Sequence, residues 1–243
     1  MRHQLLKHLL AWLFIGFTAT PLAWADEAPT GEPQERVVFK RAAVASFLEG
    51  RRRPAVDEAM DETMSCPIGE ICLADPSISS HAGITLTRLV DQELRGRFGK
   101  QIVPLEQVKN AEMEIKLNLK KDTPRTLAET LGNLLKVDVV VIGTVWRYRD
   151  RGEMLGVPDS KASVAFAVYA IDVKDGRKLW RGLYDATQQA VTKDLLQAGK
   201  QIRMGLKWLS ADELAAHGVK EVFKAFPSNL LPGDYSGTLQ QPQ

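Results

Sequence analysis

Residues 137–148 read VDVVVIGTVWRY, and residues 162–173 read ASVAFAVYAIDV. Both are near-continuous apolar runs rich in β-branched and aromatic residues. That is the pattern of a strand buried on both faces. After the second run, Lys174-Asp175-Gly176-Arg177 supplies a tight turn, because an Asp-Gly pair tolerates positive φ. Lys178 to Val191 then returns as a third strand. The three predict an antiparallel meander at the centre of a sheet.

Working outward, helical patterns surround this meander. Thr123-Pro124 is a helix start: Thr caps, and Pro at the first helical position lacks only an N–H that would have no partner. Leu127, Leu131, Leu134 and Leu135 are its expected buried face. Ile78 to Phe98 reads as a helix, with Ile84, Leu86, Leu89, Val90 and Leu94 at helical spacing. Gln101 to Val108 reads as a short strand. In 110–121 (NAEMEIKLNLKK), Met113, Ile115, Leu117 and Leu119 alternate as in a strand, while the flanking Ala and Glu favour a helical or mixed connection. Lys193 to Leu209 reads as a helical connector. Ser210-Ala211-Asp212-Glu213 is a capping box, and the helix it opens buries Ala215, Val219, Val222 and Phe226 and stops at Pro227. The first strand lies in 36–47 (RVVFKRAAVASF). Leu48 to Ser77 is a long irregular stretch, expected to be functional or mobile. The fold class is therefore α/β (α+β), a mixed, largely antiparallel sheet flanked by helices in a single domain over residues 37–227.

The ends of the chain bear on its compartment. Residues 1–25 (MRHQLLKHLLAWLFIGFTATPLAWA) have a basic start, a short apolar core and a small-x-small ending at Ala23-Trp24-Ala25. This is the form of a cleaved signal peptide, and the apolar run is too short to span a bilayer. A mature protein beginning at Asp26 has no cysteine there to lipidate, so a non-lipidated periplasmic or secreted protein is expected. Residues 26–36 read as a flexible leader, and 228–243 as a flexible tail. The formal net charge of +2 falls to about zero once Arg2 and Lys7 are removed with the signal. Nothing in that balance points to nucleic acid or to anionic lipid. No stable membrane insertion is expected.

The two cysteines, Cys66 and Cys72, lie in CPIGEIC. In an oxidising compartment such a pair is expected to form a disulfide staple worth about 2 kcal/mol, with free thiols as the alternative. Zinc needs about four ligands, and His81 and His217 are the only histidines left after cleavage. A redox pair is normally C-x-x-C. Neither metal nor small-molecule cofactor is expected.

Catalytic motifs are missing. The chain has no Gly-rich phosphate loop, no H-E-x-x-H and no G-x-S-x-G elbow. A triad assembled in space around His81 is a rival reading, as is a self-assembling structural component. Two stretches are candidate interfaces instead. One is the basic run Arg51, Arg52 and Arg53. The other is the connection that carries Arg147, Tyr148, Arg149, Met154 and Leu155, since loops on rigid strands often carry recognition.

The meander also resembles a known group. VVVIGTVWRYRDR followed by ASVAFAVYAIDVKDGRKLWRGLYDATQQ is similar to the core of the bacterial envelope proteins related to the curli secretion lipoprotein CsgG, the penicillin-binding-protein activator LpoB and the TolB N-terminal domain. The matching positions are Asp138, Val140, Gly143, Thr144 and Val145, then Tyr169, Asp172, Gly176, Leu179 and Trp180. The resemblance implies a three-layer α/β module that binds rather than catalyses. With the signal-like N-terminus and the missing catalytic motifs, it points to an envelope protein as partner, in outer-membrane biogenesis, secretion or wall-synthesis control, while the near-zero net charge leaves the chain itself as an alternative partner. It implies packing and turn roles for Gly143, Asp172 and Gly176. The chain departs from the group at Ala43–Phe47, where relatives carry a Leu-Pro-Phe-like element. It also lacks a lipidated cysteine and the paired membrane hairpins of the curli exporter.

Overall fold

The computed structural model describes residues 37–188 and 209–232, apart from 74, 76, 77, 155, 156, 158, 159 and 229. Its centre is the expected meander: β4 (Val139–Arg149), β5 (Ser163–Asp172) and β6 (Lys178–Thr187), each antiparallel to the next. Two short strands, β2 (Ala42–Val44) and β3 (Leu48–Glu49), both run parallel to β4 along its other edge. The sheet is thus mixed and largely antiparallel. A separate parallel pair joins β1 (Val37–Phe39) to β7 (Leu230–Pro232), so part of the expected flexible tail is a strand.

Alternation along β4 and β5 feeds two cores, one on each face of the sheet. Val139, Val141, Val145, Val164, Phe166 and Val168 face α2 (Ala82–Phe98) and α5 (Ala211–Lys224). Val140, Ile142, Trp146, Ala165, Ala167 and Tyr169 face α3 (Leu105–Glu114) and α4 (Pro124–Leu135). Period-two strands with both faces covered account for the near-continuous apolar runs. The capping at Thr123 and the capping box at Ser210 form as expected. Gly176 takes the turn at φ 66°, and Asp172 accepts the Lys174 amide there at 2.9 Å.

Several expectations are corrected. The helix read from Ile78 begins at Ala82; Ile78 instead bridges to Tyr148. The strand read over 101–108 reduces to a single bridge, Ala42 to Ile102, because Pro104 opens α3 directly. Leu134 is exposed rather than buried. Residues 110–121 are the mixed connection, helical to Glu114 and without regular structure to Asn118. The connector read over 193–209 lies outside the described residues except for Leu209.

The irregular stretch after β3 is a strap tied across the α3–α4 face. Asp61 and Arg181 form its central knot, with Arg181 Nε 3.0 Å from Asp61 Oδ2 and side chains only 4% and 1% exposed. Tyr169 donates its hydroxyl to the same carboxylate oxygen at 2.8 Å. The Thr63 amide donates to Asp61 Oδ1 at 3.0 Å, and the Thr63 hydroxyl donates there too. The Arg181 guanidinium also reaches the Ala55 and Val56 carbonyls. Met64, Ile68 and Ile71 of the strap are themselves buried. Ile68 and Gly69 donate their amides to Asp122 and Leu119.

Both cysteines are free thiols, and the expected staple is not formed. The reason is the helical turn α1 (Ile68–Ile71) between them, with Pro67 as its N-cap and Cys72 as its C-cap. Five steps of about 1.5 Å from Pro67 to Cys72 already exceed the Cα separation of about 7 Å that a disulfide tolerates, and an extended Cys66 precedes them. Burial, then the nearby Glu49 charge, pushes the Cys72 thiol up.

Candidate functional site

The sequence-named interface residues come together in part: Arg53 and Arg147, one from each stretch, both pair with Asp185. Arg51, Arg52 and Arg53 each lie near an acid: Asp75 at 3.5 Å, Glu70 at 3.4 Å and Asp185 at 3.1 Å. They rim the strap. Arg147 donates to Ser163 and Asp185 across the sheet. Tyr148 is 0% exposed. The cause is a β-bulge between Val145 and Arg147, which shifts the register by one residue. A one-residue shift exchanges the faces, so Arg147 turns to the strap side and Tyr148 into the opposite core. Arg149 is half-buried and Met154 exposed at the end of the meander's first hairpin. Leu155 lies outside the described residues.

His81 does belong to a cluster. Its Nδ1 is 2.7 Å from the Ser79 hydroxyl and its Nε2 is 3.2 Å from Asp212 Oδ1. Tyr148 donates its hydroxyl to that same Asp212 oxygen. Burial, then the hydrogen bond to Asp212, pushes the Tyr148 phenol well up, so it stays a donor. Ser, His and Asp in a chain invite a triad reading, yet three amides beside it already have acceptors. Ala82 donates to the Ser79 carbonyl, Gly83 to Glu49 and Thr85 to the His81 carbonyl. The cluster ties the starts of α2 and α5 to the end of β4.

The more distinctive site is at the break between β2 and β3. β2 pairs Val44 with Val141, and β3 pairs Leu48 with Thr144. Ala45, Ser46 and Phe47 therefore oppose only Ile142 and Gly143, which makes a bulge in a parallel edge. Gly143 makes room for it: a Cβ there would lie 2.3 Å from the Phe47 ring. The bulge turns the Ser46 and Phe47 amides away from β4, and flanking helices supply acceptors. Glu112 of α3 takes the Ser46 amide on one carboxylate oxygen and the Ser46 hydroxyl on the other, both at 2.7 Å. The Thr87 hydroxyl of α2 accepts the Phe47 amide at 3.0 Å and donates to the Gly83 carbonyl at 2.7 Å. Glu49 Oε1 accepts the Gly83 amide at 2.7 Å, placing a carboxylate at the positive N-terminus of α2.

These contacts open a groove of 410 Å³ between α2 and α3. Val44, Phe47, Leu105 and Val108 give it an apolar lining, and Ile84, 75% exposed, stands on its rim. Its two acids, Glu49 and Glu112, are engaged by amides, while Arg88 and Lys109 on its wall make no ion pair among the described residues. The groove thus offers apolar contact and two exposed cations without ion-pair partners among the described residues, balanced in charge by two carboxylates that amides hold in place. Sequence reading missed it, although the Ala43–Phe47 departure from the expected motif marked the place. Among the described residues no group of His, Cys, Asp and Glu could hold a metal ion, and no helix is long and apolar enough to cross a membrane.

No family model and no curated protein matches the chain. Solved structures do. The PelC dodecamer from Paraburkholderia phytofirmans is similar at 14% identity over 78% of this chain and 86% of that one, with a TM-score of 0.38. Lipoprotein GNA1162 from Neisseria meningitidis is similar at 14% identity over 67% and 91%, with a TM-score of 0.39. The LpoB C-terminal domain from Salmonella enterica is similar at 12% identity over 63% and 85%, with a TM-score of 0.35. LpoB is one of the three proteins that the meander pattern resembles; the likeness to CsgG and TolB rests on that pattern alone. At identities and scores this low, what those proteins bind or assemble into is not carried over.

Proposed function

We propose that this chain is a non-catalytic periplasmic protein-interaction module of the bacterial cell envelope, and that the α2–α3 groove receives an acidic segment of a partner protein bearing an apolar side chain. The observation that carries the reading is the division of labour in the groove. Its carboxylates are engaged by main-chain amides, while Arg88, Lys109 and Ile84 stand exposed around an apolar floor. Cationic rims around an apolar slot select acidic-apolar peptides and speed their encounter. The signal-like N-terminus supports the periplasmic part.

In-cell cross-linking of tagged protein, followed by identification of the captured partner, tests this. The wild type is expected to hold one dominant envelope protein. The double variant Arg88→Glu, Lys109→Glu is expected to lose it while keeping the wild-type circular dichroism spectrum. Equal capture by the folded double variant would remove the groove from the account. The rival triad reading fails if His81→Ala leaves every hydrolase activity of the purified protein unchanged.

A further inference from the structure

We infer that the strap-side end of the meander holds a doubly charged phosphate group. Arg147, Arg149 and Arg53 are gathered there from the two basic stretches that the sequence sets far apart. In the ladder Arg147 stands opposite Ala165, and Ala165 opposite Asp185. The small Ala165 side chain lets Arg147 reach over it to the Asp185 carboxylate. Arg147 Nε donates to the Ser163 hydroxyl, which also meets the Thr187 hydroxyl at 2.6 Å. Arg149 stands opposite Ser163, two residues along from Arg147, and so shares this face of the sheet. Arg53 approaches from the strap, with Nη2 3.1 Å from Asp185 Oδ2. The bond from Arg181 to the Ala55 carbonyl pins the strap two residues further on.

The charges at this end do not balance. Asp185 gives one carboxylate oxygen to Arg147 and the other to Arg53. Arg149 makes no ion pair among the described residues. Three guanidiniums, which keep their protons at any ordinary pH, thus face one carboxylate. The Arg147 and Asp185 side chains are only 22% and 25% exposed, so water screens the surplus incompletely. Like charges held together oppose the compact state, and an anionic ligand supplies what they lack. Arg147 Nη1, Arg53 Nε and Nη1 and the whole Arg149 guanidinium have no acceptor among the described residues. A phosphate group matches them: it carries about two negative charges and offers three acceptor oxygens. Guanidinium forks grip such oxygens through paired N–H···O bonds. None of these residues lines the α2–α3 groove, so the two sites stand or fall separately.

Isothermal titration of the purified protein with inorganic phosphate, against sodium chloride of equal ionic strength, tests the inference. A second arm is flotation with phosphatidylcholine vesicles, with and without phosphatidic acid. The wild type is expected to bind phosphate at a single site. Arg149→Gln and Arg53→Gln are each expected to weaken binding about tenfold and to keep the wild-type far-ultraviolet spectrum, since neither touches the Asp61–Arg181 knot. Asp185→Asn removes the competing carboxylate and is expected to tighten binding severalfold, which loss of a purely structural ion pair would not do. Should one variant lose the native spectrum, the other two make the same test. Flotation that requires phosphatidic acid and is lost in Arg149→Gln places the phosphate on a lipid headgroup. Phosphate binding without flotation places it on a soluble molecule. No phosphate binding in either arm, binding unchanged by both arginine variants, or binding weakened by Asp185→Asn overturns the inference.

Discussion

The meander and the strap help order the same face of the sheet by opposite means. β4, β5 and β6 share the work over many similar residues, each adding a ladder bond and a buried side chain. The strap over residues 50–73 has little ladder and little periodicity. It concentrates its hold on a few singular contacts: the Asp61–Arg181 knot, the Tyr169 hydroxyl and the amides given to Asp122 and Leu119. Distributed order degrades gradually when a residue is changed. Concentrated order fails at one point, and the cost there is large because the surviving charge stays buried.

Asp61→Ala is the sharpest way to break the comparison. It strands the Arg181 guanidinium and leaves Tyr169 without its acceptor, with an expected loss of about 3–5 kcal/mol in urea unfolding. Limited proteolysis of the variant is expected to cut within 50–73 before it cuts the meander. Replacing both charges, Asp61→Leu with Arg181→Met, is expected to cost much less than Asp61→Ala, since no unpaired charge remains. On the meander side, Gly143→Val drives a side chain into the Phe47 ring and is expected to cost about 1–3 kcal/mol by the same measurement. Such a change is expected to disturb the bulge and the α2–α3 groove while leaving the strap's resistance to protease intact.

Alkaline pH bears on both regions at once. Burial raises the phenols of Tyr148, Tyr169 and Tyr184 in the folded protein, with Tyr184 pushed up to about 12 by burial and then by Glu221. Unfolded tyrosines lose their protons near about pH 10. Above that value the unfolded chain binds fewer protons than the folded one, so stability falls as pH rises. Urea midpoints are expected to show this fall from about pH 10 upward. The smallest effect is expected at the cysteines. A thiol titration of the denatured, unreduced protein should find both groups reactive, and added reductant should leave the unfolding midpoint unchanged.

The contrast also explains what could be read from the amino-acid order. Val137–Tyr148, Ala162–Val173 and the Asp-Gly turn announce themselves because period-two burial repeats at each step. Thr123 and Ser210 were legible because a cap is a local contract between neighbours. Asp61 was not: its partners Tyr169 and Arg181 are remote in sequence, and no local pattern marks a buried charge. Tyr148 was misplaced for a related reason. The bulge at Trp146 exchanges faces without changing the apolar pattern. The α2–α3 groove was visible only as a weak spot, at Ala43–Phe47, because Glu112 and Thr87 complete it from other helices.

The most direct test of the central claim is site-specific photo-cross-linking in cells, with the photoreactive residue at Ile84 on the groove's rim and, as a control, at the exposed Leu73 of the strap's far end. The account predicts a discrete adduct with one envelope protein from position 84, none from position 73, and loss of the first when Arg88 and Lys109 are both changed to Glu. The same adduct from both positions, no adduct from position 84, or an adduct that survives the charge reversal would contradict it.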